Sequence, residues 1–139
     1  MKDSGIIVWR NGRGPEGPKS GSDRDGPVIV WNTRDPLGGW TRDEFEAEFR
    51  RLIAGRVVQA WIFGSYDTPA FDRDSDIDVF LVVETSKPFV ERAFDFDELR
   101  DLVPDMDILV YTPEEFAKLT RDPSPGFWRS AVASMRRLL

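Results

Sequence analysis

Gly64-Ser65 and the aspartates Asp76 and Asp78 are the residues whose types and spacing suit chemistry in this sequence. An apolar run ends at Phe63, Gly64-Ser65 follows, ten residues intervene (66 to 75), and the chain re-enters as an apolar run bearing both aspartates near its start. Side chains two apart on a strand share a face, with Cα atoms about 6.7 Å apart. Asp76 and Asp78 are therefore expected to converge on one cation or an adjacent pair, while Ile77 and Val79 anchor the opposite face. Hard carboxylate oxygens suit Mg2+, which keeps several waters and takes one or two carboxylates together with substrate phosphates. Glycine lets a backbone approach a phosphate closely, and the amides after it, with the Ser65 hydroxyl, can hold the oxygens. Asp107 begins another apolar run in the same manner, and Asp105 shares its face as an alternative. These residues together point to a magnesium-chelated nucleoside triphosphate and to nucleotidyl transfer. Asp76, Asp78 and Asp107 would act as catalytic ligands of two ions in a two-metal arrangement, with Asp107 also able to accept a proton.

Composition narrows the alternatives. The 139 residues include neither cysteine nor histidine, so disulfides, thiolate nucleophiles, Cys/His zinc sites and imidazole catalysis are excluded. A formal charge of −6 argues against a broad electrostatic grip on nucleic acid and fits a site that recruits cations. No apolar run approaches the roughly 20 residues of a membrane span, and the amino terminus lacks a signal-peptide layout. The expected compartment is the cytoplasm.

The elements that must position these residues can be read around them. Thr41 with Glu44 has capping-box spacing, Trp40 and Phe45 occupy the staple positions, and Phe45, Phe49, Leu52 and Ile53 share one helical face before Gly55. Strands are expected over 57–63, 77–83 and 103–111, and a partly helical segment over 89–102. Thr112, Pro113 and Glu115 start another helix, and Phe127, Trp128, Ala131, Val132, Met135 and Leu138 predict a last one over 127–139. Arg50, Arg51 and Arg56 lie on the outer side of the first helix, either solvated or reaching phosphates. The expected fold class is α+β, a small mixed sheet flanked by helices over residues 41–139. Residues 1–40 read as a separate extension: Gly5 to Arg10 and Pro27 to Asn32 form a β-hairpin around a Gly/Pro-rich loop.

The pattern Phe63-Gly64-Ser65, Ser75-Asp76-Ile77-Asp78 and the later Asp107 resembles the nucleotidyltransferase superfamily with the polymerase beta-like palm, and within it the minimal nucleotidyltransferase domains. The resemblance covers roughly residues 41 to 139. It implies a magnesium-dependent enzyme moving a nucleotide, commonly AMP from ATP, to a protein or small-molecule hydroxyl. Some such domains look like antitoxin partners of helical HEPN-type proteins, so a weakly active or inactive binding module is the alternative. Relatives commonly carry a basic residue soon after Gly-Ser. Here Asp67-Thr68-Pro69 stands there, and Arg73, or a basic side chain from elsewhere, is expected to meet the triphosphate.

Overall fold

The computed structural model describes residues 34–139; the expected amino-terminal hairpin lies outside the described residues. Helix α1 (Arg42–Ile53) starts at a complete capping box: Thr41 Oγ1 accepts from the Glu44 amide and the Glu44 carboxylate accepts from the Thr41 amide. Its apolar stripe, Phe45, Phe49 and Ile53, is fully buried. Strands β1 (Gln59–Phe63) and β2 (Ile77–Val82) pair antiparallel, with Phe63 opposite Asp78. The chain then passes through a short helix α2 (Phe89–Arg92) and a 3-10 helix (Ala93–Asp101) to strand β3 (Met106–Tyr111). Strand β3 lies parallel to β2. Helix α3 (Pro113–Arg121) begins at a second capping box, between Thr112 and Glu115.

The carboxyl-terminal segment departs from the expected single helix over 127–139. Helix α4 (Phe127–Ser134) stops at Met135, whose backbone is extended, and β4 (Arg136–Arg137) pairs antiparallel with Trp61 and Ile62 of β1. Leu138 and Leu139 then both donate their amides to the Ala60 carbonyl. The apolar spacing that suggests helix as far as Leu138 is met instead by a turn of direction that buries Leu138 in the core. Satisfying the otherwise open edge of β1 outweighs another helical turn.

The resulting sheet has the order β3-β2-β1-β4 and is mixed, as the α+β expectation requires. Its central strand β2 is covered on both faces. Val79 and Leu81 pack with α1 and with Leu99 of the 3-10 helix, whereas Phe80 and Val82 pack with Phe116 of α3 and Ala131 of α4. Alternation with period two explains why a nearly continuous apolar run serves two cores. Truncating Phe80, which is fully buried, removes a wall of the second core at a cost of roughly 4 kcal/mol. No helix among the described residues is long and apolar enough to cross a membrane.

Candidate functional site

Strand pairing sets the site. Because β2 and β3 run parallel with Asp78 as the Cα partner of Asp107, the two carboxylates project side by side from adjacent strands. Asp78 is half-buried, and Asp107 is exposed. Burial first, then the charge of Asp107 and a hydrogen bond shared with it, then the charge of Asp76, push the Asp78 carboxyl up to about 6. Among the described residues neither carboxyl has an ion-pair partner, and a divalent ion is the simplest group that relieves both burial and repulsion.

Gly64 closes the other side. Its φ of +82° is a conformation that side chains rarely tolerate, and an added Cβ would meet Asp78 Oδ2 at 2.6 Å. The glycine thus allows the turn to lie directly against the carboxylate, in addition to any approach by a phosphate. Its amide donates to Ser134 Oγ at 2.9 Å, tying the turn to α4. Ser65 contributes its carbonyl to the Thr68 amide and hydroxyl, at 2.9 and 2.8 Å. The Ser65 hydroxyl itself has no hydrogen-bond partner among the described residues, which leaves it available to a ligand. The expected handover from β1 to a short helix or loop is a turn over 64–67.

Asp76 is oriented differently. Arg34 reaches it from upstream, donating Nη2 to Asp76 Oδ1 and to Asp105 Oδ2, both at 2.9 Å, and Nη1 to the carbonyls of Arg73 and Ser75 at 2.6 and 2.8 Å. One guanidinium thereby ties together the approaches to β2 and β3. Asp105 is joined to Asp76 through this arginine. Among the described residues no group of three or more acidic side chains is drawn together as a metal site. The Asp78/Asp107 pair fits a divalent ion that takes its remaining ligands from water and phosphate.

Arg73 is exposed, and its carbonyl accepts from Arg34 Nη1. Positive charge beside the Gly64 turn comes from residues that local sequence did not flag. Asp67 accepts from Arg42 Nη1 at 3.0 Å and from Arg136 Nε at 2.7 Å, and both arginines hold its carboxyl below the usual range. Behind it Tyr66 donates its hydroxyl to Glu46 at 2.8 Å, and Arg136 donates to the same carboxylate at 2.6 Å. Burial disfavours the Glu46 charge, yet the hydrogen bonds from Arg136 and Tyr66 win and hold its carboxyl below the usual range. Arg50, Arg51 and Arg56, by contrast, are taken up by Glu46 and the Leu138 carbonyl, by Glu48, and by Glu98. The signal for the Arg42–Asp67–Arg136 cluster lies only in distant pairing, up to 90 residues apart for Arg136 and Glu46.

Two cavities meet at Asp78. One of about 250 Å³ is lined by Asp78, Asp107, Arg100 and Phe127, and the other of about 490 Å³ by Gly64, Asp78, Phe127, Ser130 and Ser134. A cleft that joins paired carboxylates to a glycine turn has the form of a site for a metal-chelated anion.

Residues 42–104 match the family model described as Nucleotidyltransferase domain, a span that holds α1, the Gly64 turn and both Asp76 and Asp78. No curated protein and no solved structure matches the chain.

Proposed function

We propose, from the match of residues 42–104 to the nucleotidyltransferase domain model, that this chain is a magnesium-dependent nucleotidyltransferase moving a nucleotide, AMP from ATP foremost, to a hydroxyl of a protein or small molecule. The observation that carries the reading is the Asp78/Asp107 pair, register partners on parallel strands with the Asp78 carboxyl pushed up to about 6. Asp78 and Asp107 would hold the ion, with Asp76 joining if Arg34 yields it. When bound, Mg2+ neutralises charge on the phosphates and makes the acceptor hydroxyl more acidic.

The chain's own residues supply the rest. The Ser65 hydroxyl and the backbone of the Gly64 turn orient phosphate oxygens, and the Asp67 cluster keeps that turn in place. Asp107, which is exposed, would take the acceptor's proton as the acceptor oxygen bonds to the α-phosphorus. The bond between the α-phosphorus and the bridging oxygen then breaks, and pyrophosphate leaves with its electron pair. In-line displacement of this kind depends on positioning and electrostatics rather than on a covalent enzyme intermediate.

Incubation with ATP labelled at the α or the γ position separates this reaction from phosphoryl transfer. Covalent retention of the α label alone, in the wild type and not in Asp78→Asn or Asp107→Asn, is the expected result. Failure of every nucleoside triphosphate to label an acceptor with Mg2+ or Mn2+, in lysate as well as with purified candidates, would contradict it.

The hold of Arg34 on Asp76 favours a second reading, a binding module that covers a helical HEPN-type partner without catalysis. In that case Asp78→Asn leaves inhibition of the partner intact.

A further inference from the structure

The larger cavity beside Gly64 has a feature that neither the carboxylates nor the phosphate-binding turn uses. Phe63, Phe80 and Trp128 stack as a column, with interplanar angles of 9° and 6° between neighbours. Phe127 stands perpendicular to all three, at 89°, 89° and 88°, with ring centroids 5.8, 6.4 and 5.4 Å away. Edge-to-face packing on three rings fixes the plane of Phe127. Even so, 52% of the residue is exposed, and it lines both cavities that flank Asp78. A large apolar ring held rigid and left half-open at the meeting point of two cavities offers a flat face to a ligand in either one.

The occupant can be argued from what else lines the cavity. Gly64 and Asp78 share it, so a ligand whose phosphates lie on the Gly64 turn extends its remaining part along Phe127 and α4. That wall is apolar and small: Ala131, backbone at Gly126, and the hydroxyls of Ser130 and Ser134. Ser134 is already engaged by the Gly64 amide and the Ala131 carbonyl. The hydroxyl of Ser130 has no partner among the described residues. Among the described residues, no arginine, asparagine or glutamine lines this cavity to make the paired hydrogen bonds by which bases are told apart. At about 490 Å³ the space lies within the range of ordinary small-molecule sites.

We infer that this cavity receives the nucleobase of the donor nucleoside triphosphate, stacked on Phe127. The site therefore selects purines over pyrimidines by stacking area and does not separate adenine from guanine. The inference rests on the nucleotidyltransferase reading above and adds its base-recognition element, from a segment outside the matched residues 42–104. Stacking on an aromatic side chain is sequence-tolerant because every base offers a π-face, and truncating such a side chain weakens binding roughly tenfold or more.

Calorimetric titration of ATP, GTP, CTP and inorganic tripolyphosphate, each with Mg2+, into wild type, Phe127→Ala and Phe127→Tyr tests the inference. ATP and GTP are expected to bind wild type within about threefold of each other, CTP more weakly, and tripolyphosphate at least about tenfold more weakly than ATP. Phe127→Ala should lose about tenfold or more on ATP while leaving tripolyphosphate unchanged, and Phe127→Tyr should bind like the wild type. Equal ATP affinity in wild type and Phe127→Ala overturns the inference while leaving the phosphate and cation site standing. So does an equal loss on ATP and tripolyphosphate, which would make Phe127 a structural residue only. If neither ATP nor tripolyphosphate binds the wild type, the nucleotidyltransferase reading falls and the base site with it.

Discussion

Asp78 concentrates the conflict on which the site is built. The backbone of β2 places it beside Asp107, and Gly64 lies so close that even a methyl group would strike its carboxylate. Its carboxyl is pushed up to about 6, whereas an aspartate in an unfolded chain titrates near 3.9. Between those values the folded chain binds more protons than the unfolded one, so this group's contribution to stability falls as pH rises from about 4 to about 6. Above that window the full penalty of an unpaired charge is present; below it the penalty is gone. In cation-free buffer Asp78→Asn should melt about 3 °C higher than wild type at pH 7.5, once solvent screening is allowed for, and at nearly the same temperature at pH 4. Scanning calorimetry at the two pH values checks this, and a lower melting point for the variant at pH 7.5 would show that the Asp78 charge is compensated.

At the scale of elements, the Gly64 turn is held by strands and helices distant in sequence. Strand β4 delivers Arg136 to Glu46 of α1 and to Asp67 of the turn, and α4 delivers Ser134 to the Gly64 amide. The Glu46 side chain is only 11% exposed, so removing Arg136 leaves its charge to the Tyr66 hydroxyl and Arg50 alone. Arg136→Gln should cost about 3 kcal/mol in urea unfolding at pH 7, and adding Glu46→Gln should restore much of the loss. A loss no smaller in the double variant would mean that the arginine acts through packing alone. The capping boxes at Thr41 and Thr112 were legible because their partners lie three residues apart. So was the Gly64 to Asp78 pattern, written in one stretch of chain. The extended ending at Arg136–Arg137 was not, because Leu138 satisfies a helical stripe and a strand return equally well, and only the open edge of β1 decides between them. Nor was the clamp on Asp67, since no local pattern announces arginines 25 residues before and 69 residues after their partner.

Across the whole molecule, a mixed sheet covered on both faces carries its acidic residues at one end, where β2 and β3 begin. Arg34 spans that end and ties Asp76 to Asp105. The sequence paired Asp76 with Asp78 and added Asp107 from another strand; in the fold Asp78 and Asp107 stand together, and Asp76 is held by a cation from 42 residues upstream. Arg34 therefore competes with any metal for Asp76, and its removal should strengthen cation binding. Titrating Mn2+ into the nucleotide-free protein, with the free ion followed by electron paramagnetic resonance, decides whether Asp78 and Asp107 form a divalent cation site. Wild type should bind Mn2+ saturably, Asp78→Asn at least about tenfold more weakly and Arg34→Gln a few-fold more tightly, as expected from losing or freeing one charged ligand. Identical binding curves for wild type and Asp78→Asn would contradict such a site.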